Sequence, residues 1–294
     1  MFSIIIPTYN RAELITKTII SLLAQTYSNL EIIVVDDGST DNTADVISAI
    51  KDSRVRYFHQ QNAERGAARN LGASKSSGQY INYFDSDDLA YPEHLSTAKA
   101  LIDQYNNPEV IHMGYDYREE NGKLITRVNR FDGNIIEYAI KQKSISTMSM
   151  LVRRDIALQF PYSEDRKFIM GEDALHLCQL AARYPFYYDN KITTSVVHHK
   201  QRSMNSSNEE AYTYSRDRLL SALKNDKVFL EKFEQYLPCI SNEYNYLLWK
   251  DSVDKGNNKK AMKYFRSYLS GETGSLFHIR TLVFLKRYIS NLVK

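Results

Sequence analysis

Two cysteines in 294 residues, Cys178 and Cys239, are too few for a disulfide framework and lack the spacing of a thiolate metal site. That usage suits a reducing compartment, and Cys178, inside a predicted helix, reads as a buried thiol. No run of 18 apolar residues exists, which excludes a membrane-spanning helix. The start, Met1-Phe-Ser-Ile-Ile-Ile-Pro, carries neither a basic leader nor a long apolar stretch, so no secretory signal is expected there. A cytoplasmic location follows as the expectation. Walker loops, zinc-finger spacings and serine-hydrolase elbows are also absent. Gly66-Ala-Ala-Arg69-Asn70-Leu-Gly72 is not a dinucleotide fingerprint, because no strand–Gly-x-Gly context precedes it. There is no internal repeat and no low-complexity tract.

What is present is an ordinary globular composition, 43% apolar and 25% charged, with 22 tyrosines and 12 phenylalanines. The net charge of +3 is unevenly spread: residues 255–294 hold nine Lys/Arg and one acid, a net of +8, which leaves −5 for residues 1–254. No nucleic-acid recognition fold accompanies the basic tail, and the acidic run upstream argues against such a partner.

The acidic run is the most informative stretch. Tyr80-Ile-Asn-Tyr-Phe-Asp85-Ser-Asp87-Asp88 is an apolar strand pattern that ends in three carboxylates within four residues. Strand alternation predicts Asp85 and Asp87 on one side of the backbone. Carboxylates held together need a cation, and all-oxygen donors suit Mg²⁺ or Mn²⁺, whose open positions accept phosphate oxygens. The same residues also fit a solvated acidic turn before a helix near Pro92.

Around this run, β and α patterns alternate. Strand-like stretches lie at 2–6, 31–35, 54–58 and 79–84. Helical stripes follow, with Leu14, Ile15, Thr18, Ile19, Leu22 and Leu23 on the first and residues 63–75 forming another. Asn10 with Glu13 predicts a capping box. The pattern implies an α/β fold, with a mostly parallel sheet and helices on both faces, and ligands at the carboxyl ends of the strands. Tyr9, Asp36, Asp37, Asp85 and Asp87 should converge there. Past residue 207 the alternation stops. Residues 208–236, 240–254, 257–270 and 276–293 read as helices, with Pro238, Gly256 and the 270–275 run as breakers. The expected organisation is a catalytic domain at 1–206 and a helical region at 207–294.

Four motifs in order, Ile6-Pro-Thr-Tyr-Asn-Arg11, Val35-Asp-Asp-Gly-Ser-Thr-Asp41, Asn62…Gly66-Ala-Ala-Arg69-Asn70-Leu-Gly72 and Phe84-Asp-Ser-Asp-Asp88, resemble those of family 2 glycosyltransferases, with their nucleotide-sugar-binding GT-A fold. The resemblance covers roughly residues 1–205. It implies an inverting transfer from a nucleotide-diphosphate sugar, most simply a UDP-sugar, to a glycan or lipid-linked acceptor, assisted by Mn²⁺ or Mg²⁺. By resemblance, Tyr9 flanks the base, with Pro7 and Thr8 shaping that turn, and Asp37 accepts a hydrogen bond from the base. Asp85 then contacts the ribose and approaches the metal, Asp87 is the main metal ligand, and Arg69 is the basic residue near the nucleotide, able to pair with Asp85 or Asp37. Glu172-Asp173 resembles the family's Glu-Asp motif, whose Asp is the catalytic base; acids at a helix start are also favoured by its dipole. A histidine that completes the metal site is expected near His198-His199. Adjacent strand residues face opposite sides, which leaves one of the two for the metal, taken as His199. Lys200 and Arg202 are candidates to neutralise the leaving diphosphate.

Two alternatives stay open at this level. A sugar-phosphate nucleotidyltransferase shares the layered plan and an acid pair, but its Gly-rich basic N-terminal loop is missing. A catalytically silent sugar-nucleotide-binding subunit would not need both Asp85/Asp87 and Glu172/Asp173. Residues 277–293, with Phe277, Leu282, Leu285, Ile289, Leu292 and Val293 beside Arg280, Lys286 and Arg287, fit an interfacial helix at the inner face of an anionic membrane, or a face packed on the catalytic domain or a further subunit of a homo-oligomer.

Overall fold

The computed structural model describes residues 1–129, 137–138, 146–199 and 208–271. The basic stretch 277–293, Lys200 and Arg202 lie outside the described residues. Two compact units emerge, one of Met1–Arg166 with His176–Arg202 and one of Lys167–Leu175 with Ser203–Lys294.

The first unit is built on alternation. β1 (Phe2–Thr8), β2 (Leu30–Asp36), β3 (Val55–His59) and β4 (Tyr80–Tyr83) pair in parallel, in the spatial order β3-β2-β1-β4. Successive side chains point to opposite faces, so Ile4, Ile6, Ile32 and Val34 enter one core and Ile5, Ile33 and Val35 the other. The first core is closed by the apolar stripes of α1 (Ile15–Leu23), α2 (Thr43–Ser48) and α4 (His94–Gln104). Ala68 and Ala73 of α3 (Glu64–Lys75) and Ile156 and Ala157 of α5 (Arg154–Gln159) help close the second. Both faces of β1 and β2 are thus covered, which is why they read as near-continuous apolar runs.

Beyond β4 the sheet changes character. β8 (Met150–Arg153) pairs antiparallel with both β4 and β6 (Val110–Glu119), whereas β9 (Phe186–His198) runs parallel to β6. β5 (Leu89–Ala90) closes the order by pairing antiparallel with β9, and β7 (Leu124–Val128) forms a hairpin on β6. The expected α/β class is present, with four consecutive parallel strands and a mixed continuation.

α6 (Glu172–Arg183) carries Cys178, which is buried. In the second unit α7 (Glu209–Lys224), α8 (Lys227–Phe233), α9 (Leu237–Asp254) and α10 (Asn258–Gly271) pack together. Trp249, fully buried, meets Phe265 at 4.7 Å and Tyr246 at 6.0 Å between ring centroids. The single helix expected over 208–236 is broken, because the Asp226 side chain accepts from Phe229 N and starts α8 afresh. Pro238 does not stop a helix; it sits in the first turn of α9, where its missing N–H costs nothing. Among the described residues no helix is long and apolar enough to cross a membrane.

Candidate active site

β2, β1 and β4 end side by side, and the acids gather at those ends. The register sets Thr8 beside Asp36 and Ile5 beside Tyr83. Main-chain bonds carry the alignment onward: Asp37 N donates to Thr8 O at 2.8 Å and Phe84 N to Ile5 O at 2.9 Å. Pro7 lies within β1 opposite Val35, Thr8 is buried, and Tyr9 is 47% exposed at the rim.

Asn10 does not cap α1. It takes φ 51°, and its Oδ1 accepts from the backbone N–H of Thr40 and Asp41. The side chain thus ties the loop after β2 to the loop after β1, and α1 begins without a side-chain cap. In the β2 loop Asp36 is buried and accepts from Ser39 N and from the Tyr57 hydroxyl, both at 2.8 Å. Burial first, and this bond second, push the Tyr57 pKa up to about 12. Asp37 Oδ1 accepts from Gln60 Nε2 at 2.6 Å and from Ala63 N at 2.9 Å, and Asn62 Nδ2 donates to Asp37 O at 3.0 Å. Gly38 has φ +81°, and a Cβ there would stand 2.9 Å from Asn62 N, so the tight turn requires glycine.

The β4 loop is held differently. The strand stops at Tyr83, and residues 85–88 form a turn in which Asp88 N approaches Asp85 O at 3.4 Å. Strand alternation therefore does not orient Asp85 and Asp87, and each takes its own cationic partner. Arg69, itself buried, donates from Nη2 to Asp85 Oδ1 at 3.1 Å. Asp87 Oδ2 lies 2.8 Å from His199 Nε2 and 3.9 Å from Arg11 Nε. Asp88 is a structural latch: Val197 N donates to its Oδ1 at 2.7 Å, and its carbonyl accepts from the Thr18 hydroxyl at 2.8 Å. That latch fixes the end of β9 and brings His199 to Asp87. His198 instead sets its ring edge-on to Tyr117 at 5.5 Å.

Glu172 and Asp173 stand in the first turn of α6, in the second compact unit. The segment before them is pinned there by Tyr244, whose hydroxyl donates to Met170 O at 2.7 Å. A Cβ on Gly171 would meet the Phe168 ring and the Tyr244 hydroxyl, each at 2.6 Å, so a larger residue there would have to displace these side chains. A cavity of about 860 Å³ in the same unit is lined by Glu209, Asp251, Lys255 and Lys260, and those charges pair with one another.

Among the described residues no three of His, Cys, Asp and Glu form a ready chelate. Asp87 and His199 nevertheless fit as a partial site. The carboxylate and the imidazole, 2.8 Å apart and hydrogen-bonded to each other, are both groups that ligate Mn²⁺ or Mg²⁺. Such ions are held by one or two protein groups, with substrate phosphates completing the shell. Gln60, Arg11 and Asp88 were not singled out from the sequence. Gln60 lies in no motif, Arg11 meets Asp87 only once β1 and β4 lie side by side, and the task of Asp88 depends on Val197 in β9, more than 100 residues on.

Residues 3–160, over half of the chain, match the profile of Glycosyl transferase family 2. The chain belongs to this family. Glycosyltransferase GlyG of Streptococcus pneumoniae serotype 4 is 30% identical over 207 residues, covering 65% of this chain and 69% of that one. The chain spans 22–25% of the length of glycosyltransferases from Rickettsia felis, R. bellii and R. conorii that it matches at 38–39% identity. In fold it is similar to S. aureus TarS 1–349 in complex with UDP-GlcNAc, with TM-score 0.63, 18% identity and coverage of 92% and 90% of the two chains. It is also similar to the mannosyltransferase PcManGT from Pyrobaculum calidifontis in complex with GDP-Man and Mn²⁺, with TM-score 0.61, 15% identity and coverage of 99% and 86%. The family 2 chain thus has the GT-A type of α/β fold.

Proposed function

We propose that this chain transfers a hexose, with inversion, from a nucleotide-diphosphate sugar, most simply a UDP-sugar, to a hydroxyl of a glycan or lipid-linked acceptor. The observation that carries the reading is the pair of acid sets at the ends of β2 and β4, the two strands that flank β1. Asp37 has one oxygen held by neutral donors, so its remaining acceptor capacity suits a ring N–H of the base, beside exposed Tyr9. Asp87 and His199 would hold Mn²⁺ or Mg²⁺, with Asp85 near the ribose. The bound ion supplies neutralisation of the leaving diphosphate. Arg69 and Arg11 add positive charge at the same loop. Asp173, by the family resemblance, takes the acceptor proton as the hydroxyl attacks the anomeric carbon, and Glu172 stands next in line for that role. The complexes of the two similar structures, with UDP-GlcNAc and with GDP-Man, support a nucleotide-sugar donor in general.

Incubation with a panel of UDP- and GDP-sugars, with Mn²⁺, Mg²⁺ or chelator, tests this through released nucleoside diphosphate. The NMR anomeric configuration of the product tests inversion. Failure of every donor to bind, with and without metal, would overturn the reading. On composition alone, the basic and apolar residues of 277–293 are proposed to hold the enzyme at an anionic leaflet. Co-sedimentation with anionic vesicles at low salt is the expected result.

A further inference from the structure

Residues 160–166 run along one face of α3, and the sequence of that face explains why. Positions 66 and 70 are spaced by four and fall on one line of the helix, and Asn62 lies in the entry before it. At Gly66 a Cβ would lie 2.1 Å from Ser163 O, so only glycine lets this segment approach. Asn70 grips Tyr162 at both main-chain groups: Oδ1 accepts from Tyr162 N at 2.9 Å, and Nδ2 donates to Tyr162 O at 3.0 Å. Nδ2 also reaches Glu164 Oε1 at 2.8 Å. Arg166 closes the segment with two bonds of 2.7 Å to Asn62 O and Oδ1. The same helix face carries Arg69.

Three contacts converge on the ring that this strap delivers. The Arg69 guanidinium carbon lies 4.7 Å from the Tyr162 centroid. His176 stacks on the ring at 4.2 Å with an interplanar angle of 19°. Tyr83 meets it edge-on at 5.0 Å. We propose that Tyr162 is a positioning residue, whose strapped ring, backed by His176, fixes the Arg69 guanidinium against Asp85. Arg69 is a long side chain with many rotamers, and its charge is buried, so it needs both a partner and a wall. Asp85 is the partner and Tyr162 is the wall. With Arg69 fixed on Oδ1, the second Asp85 oxygen makes no hydrogen bond among the described residues and stays available to a donor sugar nucleotide. His176 is suited to its place. Burial first, and the Arg69 charge second, push its pKa down to about 3, so a neutral ring stacks there and adds no like charge beside the guanidinium. The functional half of this inference rests on the proposed nucleotide-sugar site; the geometric half does not.

Two measurements test it on the full chain. In ¹⁵N NMR of the ligand-free protein, the Arg69 Nε–H signal, assigned by its loss in Arg69→Lys, should be ring-shifted in wild type and in Tyr162→Phe. It should move towards the free-arginine position in Tyr162→Leu. In calorimetric UDP titrations with Mn²⁺, Tyr162→Leu and Arg69→Ala should each weaken binding by about tenfold, the effect of one desolvated cation–π contact. The double variant should be no weaker than Arg69→Ala, and Tyr162→Phe should bind like wild type. An unmoved Arg69 signal in Tyr162→Leu, or losses that multiply in the double variant, would overturn the proposal. If Tyr162→Leu does not fold, Tyr162→Met takes its place. If wild type binds no nucleotide, the donor reading fails separately and the NMR result alone decides the positioning role.

Discussion

The two acidic loops at the strand ends differ in the partners that hold them. After β2, Asp36 and Asp37 are held by backbone N–H groups, a glutamine amide and a tyrosine hydroxyl. After β4, Asp85 and Asp87 face the guanidinium groups of Arg69 and Arg11, and Asp87 also meets the His199 ring. Neutral donors fix a carboxylate in direction and leave its charge in place. That suits reading a neutral base by hydrogen bonds. Cationic partners balance charge, and cations are exchangeable for one another. That would suit the proposed role of this loop, meeting a metal ion and a diphosphate. In each loop one buried acid, Asp36 or Asp88, is spent on bonds that hold the fold: Asp36 on Ser39 N and the Tyr57 hydroxyl, Asp88 on Val197 N. Three adjacent acids are therefore not three equivalent ligands.

The contrast can be broken first by asking whether either loop supplies the base. Asp173→Asn should leave donor affinity intact and lower transfer by about 10²–10⁴-fold, the range of a lost general base. Near-normal transfer would send the search to Glu172 and then back to these loops. Next, Asp87→Ala should remove metal-dependent UDP binding and lower turnover on the order of 10²–10³-fold, since a metal supplies several kcal/mol to leaving charge. In chelator, titration of UDP should no longer distinguish it from wild type. Asp37→Asn should be milder and of another kind. UDP affinity should fall by about 10–100-fold, as for a lost hydrogen bond to a charged group. The same loss should persist in chelator and change little with salt. A metal-dependent loss in Asp37→Asn would erase the distinction between the loops.

The smallest effect sits at the other end of β2. Burial raises the Glu31 pKa, but bonds from the Ser3 hydroxyl, the Ser77 backbone and hydroxyl, and Arg56 outweigh it and hold the carboxyl at about 2. A folded-state pKa below the ordinary 4.5 contributes stability above pH 4.5, which is lost as pH falls towards 2. Glu31→Gln should melt below wild type at neutral pH, and the gap should close on acidification through that window. Transfer activity should not change, because this acid lies away from the strand C-termini.

The parallel half of the sheet was legible because β1, β2 and β4 are buried on both faces and its helices carry 3.6-residue stripes. The motif acids were legible for the same reason, since each follows a recognisable strand. What local pattern could not carry was long-range pairing. Alternation predicted Asp85 and Asp87 on one side, but the strand had already ended at Tyr83, and Arg69 and His199 divide the two between them. Asn10 looked like a cap; its oxygen is instead used by Thr40 and Asp41, which no window around residue 10 contains. The strap on α3 was half visible. Gly66 and Asn70 stood in the quoted motif, yet the Tyr162 main chain that they serve lies 92 residues from Asn70.

The bond between Asp87 and His199 spans 112 positions of chain. At 5–20 residues per second, on the order of 10 s of synthesis separates the two residues. During that interval the acids after β4 are already made, and Arg11 and Arg69 are the partners already synthesised for Asp87 and Asp85. A ribosome-bound fragment ending before β9 should therefore carry a recognisable acidic motif yet show no metal-dependent nucleotide retention. That capacity should arise abruptly once the Asp88 latch has received Val197 and His199 has cleared the exit tunnel.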